Sequence, residues 1–308
     1  MSKPARKSRK KLNGVVIDAT FAEAFPMKAT RLIITAHTEE WAFNAANAMT
    51  GFATSVIACG CEAGIERKLS PRETPDGRPG YAVLIFAMGD NGLAKQLQNR
   101  IGQCVLTSPT SACYAGVDQT DKPLPVGKQL RYFGDGYQTS KVMFGRRFWR
   151  IPVMDGEFVC DEVTWAVPAI GGGNFLVLAT NQAAALEACE RAIKAMRRVR
   201  DVIMPFPGGV VRSGSKVGSK YAALPASTNH RFCPTLKGVV DNDLEADTGS
   251  VMEIVIDGLS AEAISEAMAV GIEAACKLGA KRGIQRISAG NYGGNLGPHH
   301  FHLHEVLT

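Results

Sequence analysis

A glutamate set inside an apolar run is the first residue with the means to do chemistry. Glu253 lies in Val251-Met252-Glu253-Ile254-Val255-Ile256, where strand alternation puts it on the face of Val251 and Val255, opposite Met252 and Ile254. A carboxyl held among apolar side chains is costly as an anion, so its pKa rises. Such a group exchanges protons near neutral pH, which general acid–base catalysis requires. A buried carboxylate capping a loop or paired with Arg or Lys is the competing reading. The stretch Pro205 to Asn229, PFPGGVVRSGSKVGSKYAALPASTN, comes next. Its apolar residues follow neither a helical nor a strand period, and Gly208, Gly209, Gly214 and Gly218 permit tight turns or close approach to another molecule. Arg212, Lys216 and Lys220 fall four apart and suit a common cationic groove. Long irregular segments in compact domains are either functional or disordered. Val210, Val211, Tyr221 and Leu224 give this one something to bury, which favours an ordered binding loop over an ordinary surface loop.

Other chemistries fail on spacing. Gly209 and Gly214 have the gap of a Walker loop, but Ser215 and Lys216 follow in the wrong order. Gly171-Gly172-Gly173 precedes an apolar strand instead of following one, so the dinucleotide fingerprint is absent. The run His299-His300-Phe301-His302-Leu303-His304 invites a metal. Strand alternation puts His300, His302 and His304 on one face, roughly 7 Å apart, too far to share one zinc ion without side-chain convergence. Paired or surface histidines are the expectation, with no metal.

The elements that must position these residues belong to a chain of 308 residues with 45% hydrophobic and 21% charged residues, ordinary for a globular protein. Its net charge of +6 resides in residues 1–11, MSKPARKSRKK, which hold six basic residues and no acidic one. The body is therefore neutral, which argues against a nucleic-acid surface, and the tail reads as a solvated, disordered arm. No apolar run approaches a membrane span or a signal peptide. The eight scattered cysteines fit reduced thiols in a cytosolic protein.

An apolar strand, a polar cap and a helix recur four times. RLIITA (31–36) leads through Thr38 to a helix at 39–50, and YAVLIFAM (81–88) to one from about 91 to 102. NFLVLA (174–179) leads through Asn181 to a helix ending near Arg198, and SVMEIVI (250–256) through Ser260 to one ending near Lys277. Two units fall on each side of a hairpin centred on Asp155-Gly156. The fold expected is α+β, a duplicated α/β sandwich of two fused subdomains, 12–149 and 150–308, joined near Trp149. The glycine-rich segments ETPDGRPG (73–80), YFGDGYQ (132–138), AIGGGNF (169–175) and SAGNYGGNLG (288–297) read as connectors suited to holding small flat ligands.

From about Leu12 to the C-terminus the chain resembles formylmethanofuran:tetrahydromethanopterin formyltransferases. NGVVIDATFAEAF, TGFATSVIACGCEAGIE, ETPDGRPG, RIGQCVLTSPT, YFGDGYQ, GGGNF, PFPGG, SKVGSK, LPASTN, IEAAC, ISAGNYGGNLG and HLHEVL carry the likeness, in that order. The resemblance implies duplicated ferredoxin-like subdomains, a homo-oligomer, and no tightly bound cofactor. Tetrahydromethanopterin and a methanofuran-type amine would be the cosubstrates, as in formaldehyde oxidation to formate. The neutral body departs from the acidic archaeal members and points to the methylotrophic-bacterial branch, in which the homologue is a subunit of a formyltransferase/hydrolase complex. Glu253 stands at the position of the family's catalytic carboxylate. The matching glycine-rich blocks supply the expected substrate-binding residues: Gly208, Gly209, Arg212, Ser215, Lys216, Ser219, Lys220 and Asn229, with Asp135, Tyr137 and Asn291. A non-catalytic structural subunit of such a complex is the alternative, which would keep the fold and lose the proton-transfer group.

Overall fold

The computed structural model describes residues 10–242 and 244–308. Strands and helices alternate because apolar runs of period two give way to capped helices with small residues on one face. The first unit runs β1 (Phe21–Thr35), α1 (Glu39–Thr50), β2 (Cys61–Leu69), β3 (Gly80–Ala87), α2 (Asp90–Arg100), β4 (Ala112–Ala115). The second repeats the sequence of elements as β5 (Val167–Ala179), α3 (Gln182–Met196), β6 (Val202–Ile203), β7 (Ser250–Gly258), α4 (Ala261–Cys276), β8 (Ile284–Ser288). Strands lie in the order β4-β1-β3-β2 in one unit and β8-β5-β7-β6 in the other. The two expected central strands, β3 and the C-terminal half of β5, have neighbours on both sides.

Three helices start where side-chain caps were expected. Thr38 accepts from Trp41 N (3.3 Å), Asn181 from Ala184 N (2.9 Å) and Ser260 from Ala263 N (3.1 Å), each satisfying a free first-turn donor. Within each unit both helices pack into the same core. Met49 of α1 meets Leu93 and Leu97 of α2 in one cluster, and Met196 of α3 meets Ile264, Met268 and Ile272 of α4 in the other.

Two strands are about twice as long as their apolar runs. The N-terminal half of β1 contains Glu23, Pro26 and Lys28, and that of β5 contains Gly171–Gly173, so neither half reads as apolar. These halves pair with each other, Val167 opposite Ala29 through Gly171 opposite Phe25, and so join the units. AIGGGNF is therefore strand, with a bulge between Ile170 and Gly173, and not a connector. Its glycines serve close packing: a Cβ on Gly173 would sit 2.5 Å from Ile264 Cγ2. The hairpin Arg146–Val153/Gly156–Asp161 extends the first unit beside β4, with Ile151, Phe158 and Cys160 in the first core. Residues 1–9 of the expected arm lie outside the described residues. Lys10 and Lys11 already form a strand with Val15–Ile17, and Lys10 Nζ donates to the C-terminal carbonyls of His304 (3.2 Å) and Leu307 (2.9 Å).

The edge strands β2 and β6 face each other across a seam, closed because Gly64 leaves room for Ile203. Met27, Ala29, Leu84, Phe86, Ala169 and Ile203 fill the space between the units. Arg31 of β1 binds Glu66 of β2 (2.6 and 2.9 Å) and also pairs with Asp201 of the second unit. Deeper in the seam Glu62 of β2 meets the wholly buried Asp257 of β7. Burial raises both carboxyls, Asp257 far more, and Asp257 Oδ2 has no donor unless a proton lies between the two. Folded-state values above the unfolded ones mean stability is fully present below the unfolded pKa of about 4 and is lost as pH rises from there. Asp257→Asn is therefore expected to flatten the decline of the urea midpoint with rising pH. An unchanged slope would show that the pair does not titrate with unfolding.

Candidate functional site

On β7 the residues Ile254 and Ile256 face the helices, so alternation turns Glu253 and Asp257 to the opposite face. There Leu176 of β5 lies opposite Glu253, and Ser288 of β8 follows beyond Leu176. Irregular chain covers this face. Val211 pairs with the Glu253 backbone through two hydrogen bonds (2.8 and 2.9 Å), which brings Gly214 against the carboxyl. A Cβ on Gly214 would lie 2.9 Å from Glu253 Oε2. Tyr292 completes the cover, its hydroxyl donating to the Ser215 carbonyl (2.8 Å).

Glu253 is 9% exposed, and among the described residues nothing forms a hydrogen bond or ion pair with its carboxyl. Burial alone pushes it up to about 7. Arg286, two residues before Ser288 on β8, faces Asp18 (3.7 Å) and Glu245 (3.6 Å). As to the two readings open for Glu253, no Arg or Lys among the described residues pairs with its carboxyl, and burial is what raises it.

The expected binding stretch divides between two faces. Ser215 and Lys216 lie in the strand Ser215–Val217, which pairs with Ala226–Thr228 beyond Gly214. Asn229 N donates to the Gly214 carbonyl (2.9 Å), so these residues share the Glu253 side. Lys216 Nζ reaches the Gly218 carbonyl (3.4 Å), Ser219 Oγ accepts from Tyr221 N (3.0 Å), and Arg212 and Lys220 are exposed. Gly208 and Gly209 turn the other way. Gly209 packs on Ile193 of α3, and Gly208 and Gly209 line a cleft of about 700 Å3 between α1, β2 and the segment 202–209. Asn291 lies on the Tyr292 turn and bonds Thr20 (3.2 Å). Asp135 and Tyr137 sit on a distant turn of the first unit with local backbone partners, Tyr132 (3.2 Å) and Gly134 (2.9 Å).

Sequence reasoning named Gly214 only as a glycine suited to close approach, and passed over Tyr292, Asn174 and Glu23. Asn174 accepts from Gly290 N (2.6 Å), and Glu23 accepts from the backbone of Gly294 and Leu296 (2.8 Å each) and of Tyr292. Glu23 carried the same signal as Glu253, a carboxyl between apolar residues in FAEAF. The terminal histidines stop alternating at His302, where Leu303–Val306 turns helical. His300 donates to Gly297 O (3.1 Å), His304 to Ile17 O (3.0 Å), and Phe21 stacks on His300 and His302. Among the described residues no group of three or more His, Cys, Asp or Glu is placed to hold a metal.

The family model described as "Formylmethanofuran-tetrahydromethanopterin formyltransferase" matches residues 10–153, and that described as "FTR, proximal lobe" matches 156–306. The chain belongs to this formyltransferase family. It is 68% identical to the formylmethanofuran–tetrahydromethanopterin formyltransferase of Methylococcus capsulatus, over 96% of this chain and 99% of that one. It is 51% identical to a subunit of the formyltransferase/hydrolase complex of Methylorubrum extorquens, over 96% and 97%. Among solved structures, one from the Methylorubrum extorquens formyltransferase/hydrolase complex with methylofuran superposes with a TM-score of 0.95 at 50% identity, covering 98% of this chain and 99% of that one. The formyltransferase of Methanosarcina barkeri gives 0.91 at 47% identity, covering 96% and 100%.

In this formyltransferase Gly214→Ala should leave the thermal midpoint unchanged, since only the end of a flexible side chain must move. Displacing the carboxyl by about 1 Å should lower turnover by roughly 10- to 100-fold. Wild-type turnover would show that the contact with Gly214 does not place Glu253.

Proposed function

We infer that this chain transfers a formyl group between tetrahydromethanopterin and a methanofuran-type amine, with Glu253 as the proton-transfer residue. The family and the relatives' names support the reaction. The observation that carries the residue is a buried carboxyl without a bonding partner, raised to about 7 by burial.

The reaction moves an acyl group between two nitrogens. A neutral amine attacks the formyl carbon, a carbon–nitrogen bond forms, and the carbonyl oxygen takes the negative charge. The protonated Glu253 carboxyl hydrogen-bonds that oxygen and stabilises it in a dry site. When the original carbon–nitrogen bond breaks, the Glu253 carboxyl gives its proton to the leaving nitrogen, and the carboxylate so formed takes the proton that the attacking amine sheds. No covalent enzyme intermediate and no bound prosthetic group enters these steps. Residues on the Glu253 side, Ser215, Lys216, Asn229 and Asn291, are the candidates to touch the carrier nearest the reacting centre. Gly208 and Gly209 are candidates on the cleft side, and Arg212, Ser219 and Lys220 at the rim. Asp135 and Tyr137 are candidates on a turn of the first unit, away from Glu253 within one chain.

The matching strand orders and the reciprocal pairing of β1 with β5 support two duplicated ferredoxin-like subdomains, 12–149 and 150–308. The hairpin across the boundary packs on the first core. Likeness to a complex subunit supports assembly with a second copy and with the other subunits of a formyltransferase/hydrolase complex. A cytoplasmic location belongs to the same reading. No helix among the described residues is long and apolar enough to cross a membrane. A carboxyl kept buried and without a cation speaks for the enzyme over a non-catalytic subunit.

Glu253→Gln keeps the shape but cannot pass a proton, so kcat should fall about 10²- to 10⁴-fold with little change in KM. Transfer to the pterin nitrogen, which ring conjugation keeps neutral, isolates the carboxyl in the pH profile. Activity requires protonated Glu253, so kcat should be level at low pH and decline as pH rises through about 7. A rising limb there would reverse the assignment. Lys216→Ala or Lys220→Ala should raise KM several-fold at nearly constant kcat, because an exposed pair contributes only about 0.2–1 kcal/mol. The effect should fade with added salt; unchanged KM for both carriers would make the stretch structural.

A further inference from the structure

The turn that carries Tyr292 is anchored by a residue from the other unit of the fold. Glu23, on β1, is 1% exposed. Its Oε1 accepts from Gly294 N (2.8 Å) and from Tyr292 N, its Oε2 from Leu296 N (2.8 Å), and its own N–H donates to Gly290 O (3.2 Å). Gly293 and Gly294 have φ of +84° and +78°, which turns successive N–H groups inward onto one anion. At the other end Asn174, on the same face of β5 as Leu176, accepts from Gly290 N and donates to Gly172 O (3.0 Å). Residues 290–296 are thus held at both ends, and Tyr292 projects from them to the Ser215 carbonyl.

The groups facing Glu23 are those N–H donors and His300, its partner across the strand pair. Burial opposes its ionisation, but the backbone donors of Gly294, Leu296 and Tyr292, with His300, bring it below the ordinary carboxylate value. The group facing Glu253 is Tyr292, whose hydroxyl is held up by burial and then by the two carboxyls. Glu23 stays an anion across the range in which Glu253 changes state, so it acts as a fixed anchor and not as a second titrating group.

We propose that Glu23 is a positioning residue for formyl transfer: its carboxylate gathers the Tyr292–Leu296 turn, and Tyr292 seats the Gly214–Ser215 backbone over Glu253. The proposal rests on Glu253 as the proton-transfer residue. Glu23 touches neither carrier in this role. It limits water at the Glu253 carboxyl and fixes where that carboxyl points. Loss of the anchor admits water, which lowers the pKa of Glu253 toward its ordinary value. The kcat limb then moves to lower pH, a shift that simple loss of folded protein does not produce.

The test uses the full chain as wild type, Glu23→Gln, Glu23→Asp, Tyr292→Phe and Glu253→Gln, with folded fraction measured by circular dichroism. In Glu23→Gln an amide NH2 confronts N–H donors, so kcat should fall about 10- to 100-fold and its limb should move below the wild-type position, with KM within about threefold. Glu23→Asp, which keeps the charge, should restore part of both. Tyr292→Phe should shift the limb the same way by a smaller amount, and the Glu23→Gln/Tyr292→Phe double variant should lose less than the two single losses combined. A Glu23→Gln protein with wild-type kcat and limb overturns the proposal, as does one whose only defect is a smaller folded fraction. If Glu23→Gln does not fold, an unshifted limb in Tyr292→Phe overturns it. Wild-type turnover in Glu253→Gln overturns the underlying proton-transfer reading. A disabled Glu253→Gln beside an unshifted Glu23→Gln overturns the Glu23 proposal alone.

Discussion

Removing one carboxyl from water without supplying a cation sets the terms for everything around it. The difference between 4.5 and about 7 disfavours the Glu253 anion by about 3 kcal/mol. That penalty depends on the cover, since further hydration or a nearby guanidinium would lower the group toward its ordinary value. The protein meets this condition with backbone. Val211 binds the Glu253 main chain on one side, Gly214 lies directly against the carboxyl, and Tyr292 closes the remaining edge through Ser215. Arg286, the nearest cation along β8, is directed at Asp18 and Glu245.

The same economy of charge appears between the two units. One guanidinium, Arg31, is shared by Glu66 and Asp201 where the seam is half open to water, whereas Glu62 and Asp257 meet where it is closed, with no cation between them. Glu23 is the counterexample, an inaccessible carboxylate that remains ionised because three backbone donors converge on it. Glu253, Asp257 and Glu23 are all largely shielded, and Glu23 differs from the other two in the three backbone donors that converge on its carboxylate.

The helices and their caps were legible because Thr38, Asn181 and Ser260 precede runs of small and apolar residues, and local capping needs nothing from the rest of the fold. Strand extent was legible only where the run was apolar. The halves of β1 and β5 that join the units carry Glu23, Lys28, Pro26 and three glycines, and they are strands because each is the other's partner. No local pattern encodes that. Glu253 could be found because a lone carboxyl among Val and Ile has few explanations. Glu23 offered the same signal, but its reason for being there lies near the other end of the chain, in the turn it holds. Of the apolar residues expected to anchor the stretch 205–229, Val211 is buried and Val210 packs on the second core, whereas Tyr221 and Leu224 are exposed. The division of the stretch between the cleft and the Glu253 face follows from the pairing of Val211 with Glu253, a contact that becomes visible only in three dimensions.

A difference infrared titration of the wild type against Glu253→Gln addresses the central claim without relying on turnover. The protonated carboxyl band present in the wild type and absent from the variant should disappear with a midpoint of about 7. A band lost near the ordinary carboxylate value of about 4 would mean that Glu253 is already ionised at neutral pH, and the account of a dry, proton-bearing carboxyl would be wrong.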